Sequence, residues 1–435
     1  MGGTGSERAN SIQQTTDGGY IVAGMSSSTT IDGDPTGNHG SGDCWIVKLS
    51  ATGAIQWHKS LGGSNYDEAN SILQTLDGGY IAVGNTDSFD GDISGLHGTS
   101  GYNDFWIIKL SATGAIQWQK CLGGNQDDSA RSIIRTSDGG YIVTGEARST
   151  DGDVTGVHID CCSYYDYWVV KLSVTGTIEW QKSLGGTYDD RPSSIIQTMD
   201  GGYVVAGFTS SVNGDVTGRI YNDGDSWIVK LSPTGTIEWQ KSLGGTDNDY
   251  AVSVIQTPDG GFIFAGSYYS LNGDLGNHGY FDYWIVKLNA TGDLQWQKNI
   301  GGSSSEAAFC IIQSADGGLV VSGNSLSNNG DVTVNHGILD SWIVKLFPAD
   351  LSNTVYIDPM LAFFPNPAKE SLTVTVNFFT PSQEITITDI RGKTILNQKA
   401  QGLSTTINTS NFESGVYLLS LVDGTKKTTK KFIIE

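Results

Sequence analysis

The sequence predicts an all-β chain: a six-bladed β-propeller of four-stranded antiparallel blades, followed by a small Ig-like β-sandwich. Three observations carry that prediction. All eleven tryptophans fall at two positions of one repeated unit. Six open the motif Asp-x-Trp-(Ile/Val)-(Ile/Val)-Lys-Leu, at Trp45, Trp106, Trp168, Trp227, Trp284 and Trp342, and five follow twelve residues later, at Trp57, Trp118, Trp180, Trp239 and Trp296. An Asp-Gly-Gly turn keeps the same beat at Asp17, Asp77, Asp138, Asp200, Asp259 and Asp316, spaced by 60, 61, 62, 59 and 57 residues. A period of this length means stacked supersecondary units that share one continuous core. The third observation is strand content: each unit reads as short apolar runs between glycine turns, with no helical period.

The second unit illustrates the elements. Strand one is Ser71–Thr75, and Asp77-Gly78-Gly79 turns the chain with glycines supplying positive φ. Strand two is Tyr80–Gly84; after a polar loop, strand three is Trp106–Leu110. The turn Ala112-Thr113-Gly114 leads to strand four, Ile116–Lys120, which ends at Leu122-Gly123-Gly124. Four short antiparallel strands with aromatic and glycine beats are the pattern of a propeller blade. The predicted organisation is a propeller over 1–347, a linker over 348–360 and a terminal domain over 361–435.

Composition excludes several classes. The chain has 435 residues and a net charge of −21, which argues against nucleic acid and against docking on anionic lipid. Residues 361–435 hold 8 Lys+Arg and 6 Asp+Glu, so the first 360 carry 17 against 40. No apolar run reaches the ~20 residues of a membrane-spanning helix. The five cysteines, Cys44, Cys121, Cys161, Cys162 and Cys310, never recur at equivalent repeat positions, so no disulfide framework is expected beyond one bridge or a Cys161–Cys162 pair, and no zinc spacing is present.

Three charged positions recur in all six units. They are the acid after Gly-Gly (Glu7, Asp67, Asp128, Asp190, Asp249, Glu306), the Asp two before each first Trp (Asp43, Asp104, Asp166, Asp225, Asp282, Asp340) and the strand lysine (Lys48, Lys109, Lys171, Lys230, Lys287, Lys345). A charge repeated around an array reads as a turn cap, an indole acceptor or a blade-to-blade ion pair, because an active site needs a constellation that exists once.

Functional candidates concentrate in the loop between strands two and three. It holds His39, His97, His158, His278 and His336, each after an (Asp/Asn)-Gly-Asp turn containing Asp34, Asp92, Asp153, Asp274 or Asp331. The fourth unit keeps Asp215 but places Arg219 where the histidine would be. The acidic oxygens are donors of the calcium type, yet the turn departs from the EF-hand loop and lacks its bidentate Glu. An Asx-type turn with a capping histidine is the simpler reading. Transition-metal binding would require the histidines to converge. The same loops carry non-repeated aromatics, among them Tyr164, Tyr165 and Tyr280, suited to stacking on sugar rings or on a protein partner.

The string Asp-x-Trp-Ile-Val-Lys-Leu-Ser-x-Thr-Gly-x-Ile-x-Trp-x-Lys-x-Leu-Gly-Gly, followed by Asp-Gly-Gly-Tyr-Ile-Val-x-Gly, resembles the bacterial SBBP-type β-propeller repeat over residues 1 to about 347. That resemblance speaks to fold and is nearly silent on activity. The tail carries Phe364-Pro365-Asn366-Pro367-Ala368, then Ile385–Lys393 with Gly392, then Phe412–Ser420 with Gly415 and Tyr417, and reads as about seven alternating strands. It resembles the type A C-terminal sorting domain of the type IX secretion system of Bacteroidetes. The resemblance implies export across the outer membrane, to the medium or the cell surface, with the secretion machinery as partner. It also implies a Sec-type signal peptide, which Met1-Gly2-Gly3 does not begin, so a longer precursor is expected. The propeller's closing strand is expected upstream of Met1 or at Thr354–Ile357.

The function expected is a secreted or surface-anchored binding scaffold that recognises extracellular glycan or protein, not an enzyme, with calcium the one candidate cofactor. The alternatives are an extracellular polysaccharide-active hydrolase or lyase and a purely structural adhesin or matrix component. No paired carboxylates, nucleophile elbow or His-Glu-x-x-His motif stands out. A site built from unlike residues of different blades near the propeller axis would revive the enzyme.

Overall fold

The computed structural model describes residues 2–28, 37–99, 101–158, 164–218, 223–269, 280–347, 362–375, 383–402, 404–423 and 426–435. All of its regular elements are strands, and the chain divides into two compact units, Met1–Asn353 and Thr354–Glu435.

The first unit is a run of six blades. Blade 1 contains β1 (Glu7–Gln14), β2 (Tyr20–Ser26), β3 (Asp43–Leu49) and β4 (Ile55–Leu61); blade 2 contains β5 (Asp67–Gln74), β6 (Tyr80–Thr86), β7 (Asp104–Leu110) and β8 (Ile116–Leu122). Blade 3 has β9 (Asp128–Arg135), β10 (Tyr141–Ala147), β11 (Asp166–Leu172) and β12 (Ile178–Leu184). Blade 4 has β13 (Asp190–Gln197), β14 (Tyr203–Thr209), β15 (Asp225–Leu231) and β16 (Ile237–Leu243). Blade 5 has β17 (Tyr250–Gln256), β18 (Phe262–Tyr268), β19 (Asp282–Leu288) and β20 (Leu294–Ile300). Blade 6 shows β21 (Glu306–Gln313), β22 (Leu319–Ser325) and β23 (Asp340–Leu346), three strands among the described residues. In each blade the strands lie in chain order and antiparallel. The closing-strand candidate Thr354–Ile357 and the predicted linker fall outside the described residues.

Strands extend further than their apolar runs. β5 begins at Asp67 and passes a bulge between Ala69 and Ser71, so the recurrent acid belongs to the ladder. β7 likewise starts at Asp104, opposite Thr86. Polar residues join these ends because neighbouring donors reach Asp67 at both oxygens and Asp104 at Oδ2.

The first strands of successive blades pack against one another, which places them innermost and the fourth strands outermost. Blades 2 to 5 bury both faces. Ile21, Ala23, Cys44 and Ile46 of blade 1 meet Tyr80, Ala82, Trp106, Ile108 and Leu110 of blade 2 in one core cluster, and the arrangement repeats along the array. Trp106, Trp168, Trp227 and Trp284 are buried completely or nearly so, each worth an upper bound of ~4–6 kcal/mol by area. Their indole N–H groups donate to Gln119, Gln181, Gln240 and Gln297 at 2.7–3.0 Å. The indole acceptor is therefore this strand-four glutamine and not the recurrent Asp. Blade 1 has His58 at that position, and there the Trp45 indole N–H has no partner among the described residues. The second tryptophan of each unit covers the next blade: a Cβ on Gly176 would lie 2.8 Å from the Trp118 ring, so glycine is required there.

The second unit comprises β24 (Ala362–Phe364), β25 (Ser371–Thr375), β26 (Glu384–Asp389), β27 (Thr394–Lys399), β28 (Ser404–Asn408), β29 (Gly415–Asp423) and β30 (Lys426–Ile434). They form two sheets, ordered β24-β25-β28 and β27-β26-β29-β30. Leu372, Val374 and Ile407 of one sheet meet Ile385, Ile387, Leu419, Leu421 and Phe432 of the other, giving a sandwich with its own core.

Candidate functional site

Each blade has two ends of different chemistry. At the tight-turn end, the recurrent lysine reaches the Asp of its own Asp-Gly-Gly turn. Lys109 Nζ lies 2.8 Å from Asp77, Lys171 2.9 Å from Asp138 and Lys230 3.0 Å from Asp200. These are pairs within a blade, not between blades, because the lysine and the turn belong to adjacent strands of one sheet. The lysine stem is buried while the carboxylate is half-exposed, and Lys171 and Lys230 also meet Glu179 and Glu238. The Lys109 ammonium first, and the Thr75 hydroxyl next, hold Asp77 at about 2.

The loop end gathers the other recurrent charges. Asp67 accepts hydrogen bonds from Gly63 N–H at 2.7 Å and from the Ser88 and Thr86 hydroxyls. Asp128 accepts from Gly124 N–H at 2.9 Å, Arg148 N–H at 3.0 Å and Ser149 N–H at 3.2 Å. These acids cap the turn that enters each blade. Their burial is complete, and desolvation pushes Asp128 and Asp190 up to about 7 despite those donors. The Asp before each first Trp faces the same turn. A Cβ on Gly123 would lie 2.6 Å from Asp104 Oδ1 and 2.7 Å from Asp128 Oδ2, so only glycine lets both carboxylates approach.

Histidines of the loops are tied to this second acid. His39 Nδ1 lies 2.7 Å from Asp43, His97 Nδ1 2.8 Å from Asp104 and His158 Nδ1 3.2 Å from Asp166, each backed by its own N–H. His97 Nε2 also lies 3.7 Å from Asp153 of the next blade, and His158 Nε2 3.6 Å from Asp215. Burial raises Asp104 to about 6 even beside its histidine. His336, 85% exposed in its side chain, is 3.5 Å from Asp340. His278, Arg219, Asp34 and Asp274 lie outside the described residues.

The Asp-Gly-Asp turns clasp the preceding blade. Asp92 N–H donates to the Gly62 carbonyl at 3.0 Å, and Gly62 N–H returns to Asp92 Oδ2 at 3.2 Å. Asp153, Asp215 and Asp331 N–H groups repeat the first bond on Gly123, Gly185 and Gly301. Among the described residues, no group of three or more His, Cys, Asp and Glu side chains is arranged to hold a metal ion.

Where the repeat breaks, a different group appears. At the loop end of the inner strands, equivalent positions hold Arg8, Glu68, Ser129, Arg191, Tyr250 and Ala307 in successive blades. Arg191 of blade 4 lies over the Tyr165 ring of blade 3, its Cζ 4.5 Å from the centroid, and Arg148 Cζ lies 5.8 Å from the same ring. Glu146, only 6% exposed in its side chain, sits 2.5 Å from Arg131 Nη2 and 3.7 Å from Arg191 Nη1. Next to Arg191 on the neighbouring inner strand, Tyr250 stacks on Phe208 at 4.7 Å, and Phe281 lies between Tyr250 (6.5 Å) and Tyr269 (4.7 Å). Phe208 occupies the space over Gly224 that any Cβ would fill. Tyr280 beside Phe281 is 65% exposed, and Tyr164 packs edge-on against Tyr188. Of the sequence candidates, Tyr165 thus joins a cluster, while His97 and His158 stay at separate blade boundaries. Sequence reasoning missed Arg131, Glu146, Arg148, Arg191, Phe208 and Tyr250. The signal was available as columns in which the six units disagree.

In the second unit, the Asn366–Pro367 peptide is cis, and Pro365–Pro367 forms the exposed turn after β24. Asn366 Oδ1 accepts from Ile433 N–H at 2.9 Å, tying the turn to the last strand. Gly392 turns β26 into β27 at φ +84°, Gly415 opens β29, and the buried Tyr417 donates its hydroxyl to the Glu413 carbonyl at 2.8 Å. Residues 362–435 match the family model described as "Secretion system C-terminal sorting domain". The tail is a secretion-system sorting domain. With this sorting domain, the chain is a type IX secretion cargo, secreted or held at the outer-membrane surface. Among the described residues, no helix is long and apolar enough to cross a membrane.

Over 245 residues the chain is 25% identical to regulatory protein FlaEY of Caulobacter vibrioides, a stretch that is 51% of this chain and 25% of that protein. The chain therefore spans about a quarter of the length of that curated relative. Among solved structures, it is similar to PorZ, a surface component of the type IX secretion system of Porphyromonas gingivalis (TM-score 0.35, 10% identity, 98% of this chain and 51% of that one). It is also similar to Sqt1 of Chaetomium thermophilum (TM-score 0.40, 12% identity, 99% and 96%). The blade architecture rests on this chain's own strand pairing.

Proposed function

We propose that the exported chain is a binding scaffold, and that its ligand-contacting residues are the unlike ones at the inner loop end of blades 3 to 5. The observation that carries this is the aromatic run Phe208, Tyr250, Phe281 and Tyr269 beside Tyr165, Arg148 and Arg191, where among the described residues the other blades have no such run. Half-buried aromatic rings next to arginine form the composition of recognition sites for sugars and for proteins. Glu146 is the buried carboxylate of the cluster, and both its oxygens face arginines, so it holds them in place. Glycoside chemistry asks instead for two carboxyl groups flanking a shared cleft. The proposal is therefore a non-enzymatic one, with extracellular glycan the first ligand class to test and calcium the cofactor to test with it.

The experiment is a glycan array with the full chain, run with calcium and with chelator. Binding to a defined sugar class that Tyr250→Ala and Phe281→Ala abolish supports the reading. Loss on chelation assigns Asp92, Asp153, Asp215 and Asp331 to ion sites. Silence from a folded sample favours a structural role in an adhesin or matrix.

A further inference from the structure

We infer that the ligand class is an anionic glycan, a sugar chain bearing carboxylate or sulfate groups, with one such group held by Arg191 while sugar rings lie along Tyr250 and Phe281. The inference rests on the binding reading above and adds the charge of the ligand.

Its basis is a local cluster of arginines. The chain carries −21, yet three of its seven arginines (Arg131, Arg148, Arg191) meet at one place between blades 3 and 4. Their acidic partners are Glu146, Asp127 and Asp189. The side chains of Arg131 and Arg191 are 42% and 44% exposed, against 6% for Glu146 and 30% for Asp189; Arg148 and Asp127 are similar at 26% and 22%. Glu146 lies buried behind, and Arg131 and Arg191 are the more exposed members of their pairs.

Arg191 is the member built to receive an anion. Its carboxylate neighbours stand at 3.5 Å (Asp189) and 3.7 Å (Glu146), longer than the ~2.7–3.2 Å of a good N–H···O bond. A guanidinium offers five donors in a planar fork that matches carboxylate or sulfate bidentately. The Tyr165 ring 4.5 Å beneath fixes the plane of that fork before any ligand arrives. Tyr250 occupies the equivalent position on the adjacent inner strand, so an anion on Arg191 leaves the rest of a sugar ring over the aromatic run. Arg131, at 2.5 Å from Glu146, is the positioning residue that keeps this carboxylate from closing fully on Arg191.

The test uses the full chain and titration calorimetry with oligogalacturonate, its methyl ester, a dextran sulfate oligomer and neutral dextran. The expected result is binding of oligogalacturonate or of dextran sulfate, with the uncharged counterpart weaker by about tenfold or more. Which of the two binds identifies the anion. Arg191→Met removes the discrimination, and Arg191→Lys, which keeps the charge without the fork, loses about tenfold. Far-ultraviolet circular dichroism confirms that both variants are folded. Equal affinity for charged and neutral probes, or an Arg191→Met variant that still discriminates, overturns the inference and leaves a neutral-glycan scaffold standing. No binding of any probe by the folded chain removes the glycan reading and this inference together.

Discussion

Protonation of the turn caps gives this protein a pH profile opposite to that of most acidic proteins. Asp128 is fully buried and pushed up to about 7 by desolvation, against the 3.8 of a free carboxyl. The folded state therefore binds a proton that the unfolded state releases between those two values. The stability this contributes is complete below 3.8 and is lost as pH rises through 7. Between pH 5 and 7.5 the loss is about 2–3 kcal/mol for Asp128 alone, from linkage between the two protonation equilibria. Asp190 at about 7 and Asp104 at about 6 add in the same direction, as does the raised His158. The perturbation is Asp128→Asn, which cannot ionise. Its amide would place an NH2 against one of the donors Gly124, Arg148 and Ser149, so the variant starts about 1–3 kcal/mol less stable at pH 5. Its further decline to pH 7.5 is smaller than that of the parent by about 2–3 kcal/mol. Urea titrations followed by tryptophan fluorescence at four pH values supply both curves. Parallel curves, or a parent whose stability rises from pH 5 to 7.5, would show that the three donors keep Asp128 ionised and refute the desolvation argument.

Three further outcomes are expected. Lys171→Met removes an ammonium shared by Asp138 and Glu179; because both carboxylates are about half-exposed, the unfolding free energy from urea titration at pH 7 drops by only about 1 kcal/mol. Trp168→Ala empties a fully buried inter-blade site against Phe105, costing about 3–5 kcal/mol, and hydrogen exchange rises in blades 2 and 3 before blade 5. Truncation before Ala362 removes the sorting domain and leaves the propeller unit inaccessible to protease added to intact cells.

The blades were legible in the sequence because tryptophan, glycine and the Lys-Leu ending recur at fixed offsets that only stacked sheets satisfy. Repetition of the three charged sets likewise marked them as structural, and the caps at Asp67 and Asp128 have that role. Their partners were not legible. Lys109 and Asp77 are 32 residues apart, and only the alignment of β6 with β7 brings them together. The glutamine that accepts from Trp106 looked like part of a generic polar strand until β8 was laid beside β7. The Arg191 cluster was hidden for the opposite reason. A search for what recurs passes over columns where it fails, and those columns hold the unlike residues of blades 3 to 5.

The clasp between Asp92 and Gly62 has a consequence for how such proteins change over time. Blades 2 and 3 each carry both halves of the joint, the glycine pair at the exit and the Asp-Gly-Asp turn that receives the glycines of the predecessor. A duplicated or deleted unit therefore meets its new neighbour with a matching joint already in place. Copy number is free to drift by whole units, while the columns facing the inner loop end diverge one residue at a time. A lineage of these proteins can then change those positions without renegotiating the scaffold, much as a type case accepts new letters in slots of one size.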